Sequence, residues 1–379
     1  MNRVIFDLNA LSHNVRQIGD WMHDHGAKWT LVSKVLCGNK DILRALQIMG
    51  VRSIADSRLR NLRHADTVMK DFEAWYLRLP HLSVVPEIIS LSDVSLNSEL
   101  TIIKALNEEA KKQGKMHSII IMIELGDLRE GILPGSLIKF YQDLFELTNI
   151  EVIGIGANLG CLSGTLPSID QFTQLALYRE LLELKFDKKL QFISAGTSAS
   201  LPMVISGAMP KTINHFRIGE TVFLGSDLVS GEKMEGLRDD VVTLQAEIAE
   251  IKEKSLVPTG ELANISPFDT PDEEQAYTPG ERGFRAIVTL GQLDTDISGL
   301  TPIDDRYTIA GASSDLTVVN LGDNPEKLKI GDVIEFSLSY SALLRLMNAP
   351  YIDIISEPSL DAFDLKVNCT QDTEVSPVL

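Results

Sequence analysis

The sequence predicts an α/β protein, a (β/α)8 TIM-like barrel followed by a C-terminal all-β domain. Two observations predict this fold: strand-like apolar runs alternate eight times with helical patterns, and the alternation ends near residue 225. Such alternation indicates parallel strands joined by helical crossovers. Eight units within ~250 residues are typical of a closed barrel. An open doubly wound sheet remains the alternative, because periodicity alone does not show closure.

Each predicted unit is a strand run followed by a helical pattern. The strand runs are, in order, WTLVSKV, VRSIADS, AWYLRLP, LSDVSLN, HSIIIMIEL, IEVIGIGAN, LQFISAG and TINHFRIG. The helical patterns are DILRALQIMG, SRLRNLRHADTVM, VVPEIISL, SELTIIKALNEEAKKQG, SLIKFYQDLFELT, IDQFTQLALYRELLELK and ASLPMVISGA, and a short turn completes the eighth unit. The barrel domain is therefore predicted over residues 7–225.

The remaining residues, 226–379 together with 1–6, are predicted to form the β domain. The segments DVVTLQAEIAEIKEKSLV, FRAIVTLGQLD, YTIAGASSDLTVVNLG and GDVIEFSLSYSALL show strand alternation and are separated by glycine turns. Alternation with short turns and no long helices is typical of an antiparallel β domain. The acidic segment NISPFDTPDEEQAYTPGERG predicts a surface loop.

Composition argues against several function classes. The 379-residue chain is 44% apolar and 23% charged, as in an ordinary globular protein, and its net charge of −18 disfavours a nucleic-acid or anionic-membrane partner. Cys37, Cys161 and Cys369 form no metal or redox motif, and no apolar run reaches the ~18 residues of a membrane span. We therefore expect a cytoplasmic protein that acts on small molecules without a metal.

Polar residues stand at the ends of several predicted strands, where (β/α)8 barrels place their chemistry. Lys34 closes the first strand; partial desolvation there favours the neutral, nucleophilic amine, whereas the alternative is a lysine that extends its ammonium to water. Arg129 lies in the turn GDLREG after the fifth strand. Asn158 ends the sixth strand, and Arg217 ends the eighth.

The seventh strand runs into AGTSAS, a loop of small residues that opens a helix. Such a loop offers hydroxyls and backbone N–H groups to an anion, although a simple helix cap is the alternative. The loops after strands seven and eight form the recurrent phosphate site of these barrels. The sequence therefore indicates a ligand that carries a phosphate.

Nine segments in a fixed order carry a family resemblance: RVIFDLNALSHNV, VSKVLCGNK, IELGDLREG, GANLGC, SAGTSASLP, INHFRIGETVFLG, RGFRAIVTLGQLD, GASSDL and FSLSYSALLR. On these segments, nearly the whole chain resembles the fold-type III pyridoxal-phosphate enzymes of the alanine racemase type, and most closely their ornithine racemase-like branch. The resemblance implies a racemase that interconverts L and D amino acids by removing and returning the α-proton. It also implies a homodimer in which the β domain contributes to the partner's active site.

The resemblance assigns roles to the polar strand ends. Lys34 matches the lysine that binds pyridoxal 5'-phosphate covalently and moves the α-proton of the substrate. Arg217 matches the arginine that faces the pyridine nitrogen and, because a guanidinium keeps its protons, leaves that nitrogen unprotonated. Arg129 matches the arginine near the phenolic oxygen of the cofactor. Asn158 takes the place of a ring-packing histidine, or else it only caps its strand.

The phosphate shell is expected to include Thr197, Ser198, the backbone N–H groups of Gly219 and Glu220, and Tyr340 from the β domain. For Tyr340 the alternative is a core aromatic residue with a tethered hydroxyl.

Other positions depart from alanine racemases. The partner-subunit tyrosine that serves there as the second base has its best match at Thr259, a far poorer base, and Tyr277 is a weak substitute. Met122 stands where alanine racemases carbamylate a lysine.

Ser314 and Asp315 stand where alanine racemases line the substrate pocket from the other subunit. The small Ser314 leaves room beyond the α-carbon, and the Asp315 carboxylate would pair with a distant ammonium, or else it caps a turn. We therefore expect a basic substrate such as ornithine or lysine. An alanine or broad-specificity racemase, a non-catalytic pyridoxal-phosphate carrier, and an aldolase or decarboxylase remain alternatives.

Overall fold

The computed structural model describes residues 2–160, 164–258, 260–261 and 280–371, with the backbone alone for 368–371. The chain folds into two compact units. A sheet unit comprises Met1–Ala10 and Asp239–Leu360, and a barrel unit comprises Leu11–Arg238 and Asp361–Leu379.

The barrel unit extends past residue 225, where the sequence pattern changes. The backbone N–H of Met234 donates to the carbonyl of Gly225 at 2.8 Å, and that of Arg238 donates to Oδ1 of the buried Asn14 at 2.7 Å. These bonds hold residues 226–238 against the barrel, although this segment has neither helical nor strand periodicity.

The chain begins with strand β1 (Arg3–Asp7) and helix α1 (Leu8–His25), and a closed barrel of eight strands follows. The strands are β2 (Lys28–Val32), β3 (Ser53–Asp56), β4 (Glu73–Tyr76), β5 (Val94–Asn97), β6 (His117–Met122), β7 (Ile150–Gly156), β8 (Phe192–Thr197) and β9 (His215–Ile218). All neighbours are parallel, and β9 pairs with β2 to close the ring. The predicted (β/α)8 barrel is confirmed, and each predicted strand run contains its strand to within one residue.

The crossovers are α2 (Lys40–Ile48), α3 (Leu59–Val68), α4 (Val85–Leu91), α5 (Leu100–Lys112), α6 (Leu137–Leu144), α7 (Ile169–Phe186) and α8 (Leu201–Ile205), and the short α9 (Glu220–Leu224) follows the last strand. The strands are buried on both faces, as parallel strands between helices must be. We call the end of the barrel that carries the carboxyl ends of its strands the mouth. Loops at the mouth position the catalytic residues of this fold.

The sheet unit is mostly antiparallel, which confirms the predicted all-β domain. Its strands after the barrel are β10 (Val242–Ser255), β11 (Arg282–Val288), β12 (Leu300–Pro302), β13 (Thr308–Ala312), β14 (Thr317–Asn320), β15 (Val333–Leu338) and β16 (Asp353–Glu357). The order is β12-β15-β10-β11-β14-β13, with β1 antiparallel to β10 and parallel to β16. Its helix α10 is short (Tyr340–Leu346).

One long helix, α11 (Leu360–Gln371), lies in the C-terminal region and was not predicted. Nearly all of it belongs to the barrel unit. In its sequence, LDAFDLKVNCTQ, polar residues interrupt the apolar ones, so it has no clear helical stripe. None of the helices in the described ranges is long and apolar enough to cross a membrane.

Candidate active site

Lys34 lies at the mouth, two residues past the end of β2, and begins a single 3₁₀ turn. The residue before it is held by both its backbone and its side chain. The N–H of Ser33 donates to the carbonyl of Ala55 at 2.8 Å, and its hydroxyl donates to Oδ2 of Asp56 at 2.9 Å. The lysine therefore leaves the barrel from a fixed point rather than from a free loop.

Asp56 is a buried carboxylate that was not predicted from the sequence. Besides Ser33, it accepts from the backbone N–H of Arg58 at 2.9 Å and from Nδ2 of Asn61 at 3.1 Å. Burial raises the pKa of Asp56, and these hydrogen bonds partly offset the rise. An acid at the end of the apolar run SIAD could have been recognised from the sequence, because burying an unpaired charge there would destabilise the fold.

Gly219 and Glu220 follow β9 and lie beside the segment that leads to Lys34, because β9 pairs with β2. A Cβ on Gly219 would lie 2.9 Å from both Cβ and the carbonyl oxygen of Val32, closer than real Cβ atoms approach their neighbours. Burial raises the pKa of Glu220, while the positive charge of Lys34 lowers it. A partly buried carboxyl and the amine of Lys34 therefore share one electrostatic environment.

The loop after β8 provides polar groups for an anion. The Oγ1 of Thr197 is buried and has no hydrogen-bond partner within the described part of the chain. The Oγ of Ser198 accepts from the backbone N–H of Gly219 at 3.4 Å, so this loop and the start of α9 are adjacent. An unpartnered buried hydroxyl is costly unless a ligand pairs with it. These residues fit the phosphate of pyridoxal phosphate.

Arg217 is buried on β9, with 6% of its surface exposed. Its Nη1 donates to the carbonyl of Ser194 at 2.5 Å and to the hydroxyl of that residue at 2.6 Å. Its Nη2 donates to the carbonyl of Ala157 at 3.0 Å and to Oδ1 of Asn158 at 2.5 Å. The guanidinium is therefore held at both terminal nitrogens by groups on β8 and just after β7.

Asn158 joins Arg217 to the loop after β6. Its Nδ2 donates to Glu130, whose carboxylate also accepts from Nε and Nη2 of Arg129, the latter at 2.8 Å. Glu130 is a second carboxylate that was not predicted from the sequence, although its position directly after Arg129 was an available signal. Since each acceptor here faces a donor, both arginines belong to one hydrogen-bonded group at the mouth.

A further carboxylate shapes the loop that carries Arg129. Glu124 accepts from the backbone N–H groups of Gly126, Leu128 and Arg129, at 2.5, 3.1 and 3.1 Å. Three bonds to one side chain explain how the short GDLREG segment forms a turn without a helix.

The other predicted residues belong to the sheet unit or fall outside the described residues. Tyr340 begins α10 in the sheet unit, and in the same unit the hydroxyl of Ser314 donates to Oδ2 of Asp315 at 2.9 Å. Thr259 and Tyr277 lie outside the described residues.

Comparisons with known proteins place this arrangement in a family. Residues 6–227 match the family model described as "Alanine racemase, N-terminal domain". The chain is 38% identical over 354 residues to a protein named ornithine racemase from Acetoanaerobium sticklandii, covering 93% of this chain and 98% of that one. The chain belongs to the alanine racemase family. This membership confirms the predicted family.

A second relative and a solved structure agree with this. The chain is also 30% identical over 360 residues to a protein named lysine racemase from Thermotoga maritima, covering 94% of this chain and 99% of that one. It superposes with a TM-score of 0.70 on the alanine racemase of Bartonella henselae, a crystal structure with covalently bound pyridoxal phosphate, at 14% identity and covering 94% and 99% of the two chains. At that identity the likeness supports the fold alone.

Proposed function

We propose that this chain is a pyridoxal-phosphate-dependent racemase of basic amino acids. Membership in the alanine racemase family confirms the predicted enzyme class and cofactor. The observation that carries the proposal is the placement of Lys34 just after β2 and of Arg217 on the neighbouring strand β9. The Thr197 hydroxyl, which has no hydrogen-bond partner among the described residues, lies at the same mouth. A reactive amine, a buried cation and an anion cradle are what this cofactor requires of a protein.

When bound, pyridoxal phosphate withdraws electrons from the α-carbon of the amino acid and so makes its α-proton removable. In the proposed reaction, Lys34 holds the cofactor and then moves that proton. The positive charge of Lys34 lowers the pKa of Glu220, so this carboxyl is well placed to interact with the lysine. Thr197, Ser198 and the N–H groups of Gly219 and Glu220 would bind the phosphate.

The two arginines have separate proposed roles. Arg217 would face the pyridine nitrogen and, because a guanidinium does not give up its proton, would leave that nitrogen unprotonated. A guanidinium in that position would favour return of the proton to the α-carbon over transamination. Arg129 would face the phenolic oxygen and the substrate carboxylate, and Asn158 would lie between the two arginines against the ring.

The names of the two relatives support a basic substrate, since one is an ornithine racemase and the other a lysine racemase. Such a substrate has a side-chain ammonium that needs a carboxylate. We propose that Asp315 supplies it and that Ser314 leaves room for the side chain. Tyr340 remains a proposed phosphate ligand. We also propose a cytoplasmic homodimer in which the β domain contributes to the partner's active site.

The test is solvent deuterium exchange at the α-carbon of ornithine, lysine and alanine, followed by optical rotation of each product. Exchange with racemization of ornithine or lysine is the expected result. A clear preference for alanine would reject the proposed substrate class, and bound cofactor without any exchange would reject a racemase.

A further inference from the structure

A series of side chains, each hydrogen-bonded to the next, begins at the buried Arg217, runs away from the mouth and ends at the exposed Glu73. The Nη1 of Arg217 donates to the hydroxyl of Ser194 at 2.6 Å, and that hydroxyl lies 2.8 Å from Nδ1 of His215. Ser194 is fully buried and His215 is 2% exposed. Little solvent can therefore compete for these bonds.

The other ring nitrogen continues the series toward the amino ends of the strands. The Nε2 of His215 lies 3.0 Å from Oγ1 of Thr30, which lies 2.8 Å from Oγ of Ser53. The hydroxyl of Ser53 donates to Oε2 of Glu73 at 3.1 Å, and that oxygen also accepts from Nε1 of Trp75 at 2.6 Å. We call this series the polar column: Arg217, Ser194, His215, Thr30, Ser53 and Glu73.

The donors of the upper bonds follow from the guanidinium. Arginine can only donate, so the oxygen of Ser194 accepts from Arg217. The one hydrogen of the Ser194 hydroxyl is then left for Nδ1 of His215. If Nδ1 carries no hydrogen, it accepts this one; if Nδ1 carries a hydrogen, the hydroxyl oxygen accepts from both neighbours and its own hydrogen is not used in either bond.

The donors of the lower bonds follow from the carboxylate. Glu73, when ionised, can only accept, so the Ser53 hydroxyl donates its hydrogen to Glu73. The oxygen of Ser53 must then accept from the hydroxyl of Thr30. The hydrogen of Thr30 is then used on Ser53, and its oxygen accepts from Nε2–H of His215. The lower bonds therefore require a hydrogen on Nε2 of His215, and the upper bonds favour a neutral ring whose Nδ1 accepts from Ser194.

The surroundings of His215 favour this neutral ring. Burial lowers its pKa to about 3, and the positive charges of Arg217 on its own strand and of Lys28 on β2 act in the same direction. The ring stacks on Trp75, with centroids 4.4 Å apart and an interplanar angle of 10°. Its orientation is therefore set by packing as well as by hydrogen bonds.

We propose that His215 is a positioning residue that acts through Ser194 to hold Arg217 in one orientation, and that Thr30, Ser53 and Glu73 fix the tautomer that this requires. While His215 receives the hydrogen of Ser194, the lone pairs of that hydroxyl stay turned toward the guanidinium. With the other tautomer, this hydrogen would be free to point at Arg217. The inference deepens the proposed function and rests on it, since Arg217 is the residue proposed to face the pyridine nitrogen.

The first test is nuclear magnetic resonance on the full chain with ¹⁵N-labelled histidine, before and after cofactor is added. We expect His215 to be neutral with its hydrogen on Nε2 from pH 5 to pH 9. A charged ring or a hydrogen on Nδ1 would overturn the proposal. This readout does not depend on racemase activity, so the column and the proposed function can fail separately.

The second test breaks the column far from Arg217 with a matched pair. Thr30→Val keeps the shape of the side chain but removes its hydroxyl, whereas Thr30→Ser keeps the hydroxyl. We expect Thr30→Val to leave His215 as a mixture of tautomers and to speed exchange of the guanidinium protons of Arg217. We also expect kcat to fall about tenfold, while KM changes less than about twofold. Thr30→Ser should restore all three values.

A further pair separates a specific role from general destabilisation. His117 is also buried and also lies 2.8 Å from a serine hydroxyl, that of Ser95, but it is not in the polar column. We expect His215→Gln to speed proton exchange at Arg217, and His117→Gln to leave it unchanged. Equal effects of the two substitutions, or unchanged exchange in both Thr30→Val and His215→Gln, would overturn the proposal.

Discussion

Arg217 and Asn158 are joined by a hydrogen bond of 2.5 Å from Nη2 of the guanidinium to Oδ1 of the amide. The bond fixes which end of the amide faces which neighbour: its oxygen faces Arg217 and its nitrogen faces Glu130. Because Glu130 also accepts from Arg129, one amide and one carboxylate connect the two arginines. The orientation of each arginine therefore depends on residues that do not need to touch the substrate.

The bridging role of this amide predicts the effect of Asn158→Leu, which retains the approximate size but neither polar group. Glu130 and Arg217 would each lose a hydrogen-bond partner, so we expect kcat for racemization to fall about tenfold. Asn348→Leu is the control, because that side chain donates to the carbonyl of Leu344 within the sheet unit. Full activity in Asn158→Leu would contradict the bridging role.

Lys34→Ala tests the covalent attachment of the cofactor. We expect no borohydride-stable adduct on the peptide that contains residue 34, by mass spectrometry, and a loss of turnover of ~10³-fold or more. Lys40→Arg, a substitution at the start of α2, should keep both the adduct and the activity. A reducible adduct with normal turnover in Lys34→Ala would show that another amine holds the cofactor.

Gly219→Ala tests the close approach of β9 to β2. The new Cβ would lie 2.9 Å from the backbone and side chain of Val32, so the N–H groups proposed to bind phosphate must shift. We expect the Kd of pyridoxal phosphate, measured by fluorescence quenching, to rise about tenfold. Gly19→Ala, in open space on α1, should leave the Kd unchanged. An unchanged Kd in Gly219→Ala would remove this segment from the phosphate site.

Glu220→Gln should change the thermal stability of the protein by an amount that depends on pH, because the pKa of the Glu220 carboxyl is raised. Burial raises this pKa above its ordinary 4.5, with Lys34 opposing the rise. Because its pKa is higher in the folded than in the unfolded protein, the carboxyl stabilises the fold at pH values below its pKa in the unfolded protein. This stabilisation is lost as the pH rises through its pKa in the folded protein. The Tm of the Gln variant relative to the parent should therefore increase from pH 4 to pH 8, on the order of 1–2 °C. A difference that stays constant or falls with pH would contradict this sign.

Asp315→Ala tests the proposed recognition of a basic side chain. We expect kcat/KM for ornithine to fall about tenfold or more, while kcat/KM for alanine, which has no distal ammonium, changes less than about twofold. The parallel substitution Asp323→Ala, on the same unit, should change neither value. Equal losses for both substrates would assign Asp315 a structural role only.

Local patterns were sufficient to predict the barrel and its order. Helical and strand periodicities depend on residues two to four positions apart, so each apolar run from WTLVSKV to TINHFRIG could be recognised by itself. The polar residues at strand ends were visible in the same way, and the family resemblance added their roles. The helix α11 could not be predicted, because it lacks a clear apolar stripe and belongs to a unit whose other residues are far from it in sequence.

The sequence by itself determined the eight strand and helix units, the change to a β domain, and the presence of Lys34, Thr197 and Arg217 at strand ends. Only the tertiary structure decided that Glu130 connects two arginines and that Thr30 meets His215, 185 residues away. The physical reason is that periodicity is a property of neighbours along the chain, whereas a hydrogen bond between strands depends on register. Register is set by the closure of the whole barrel, and no short stretch of sequence contains it.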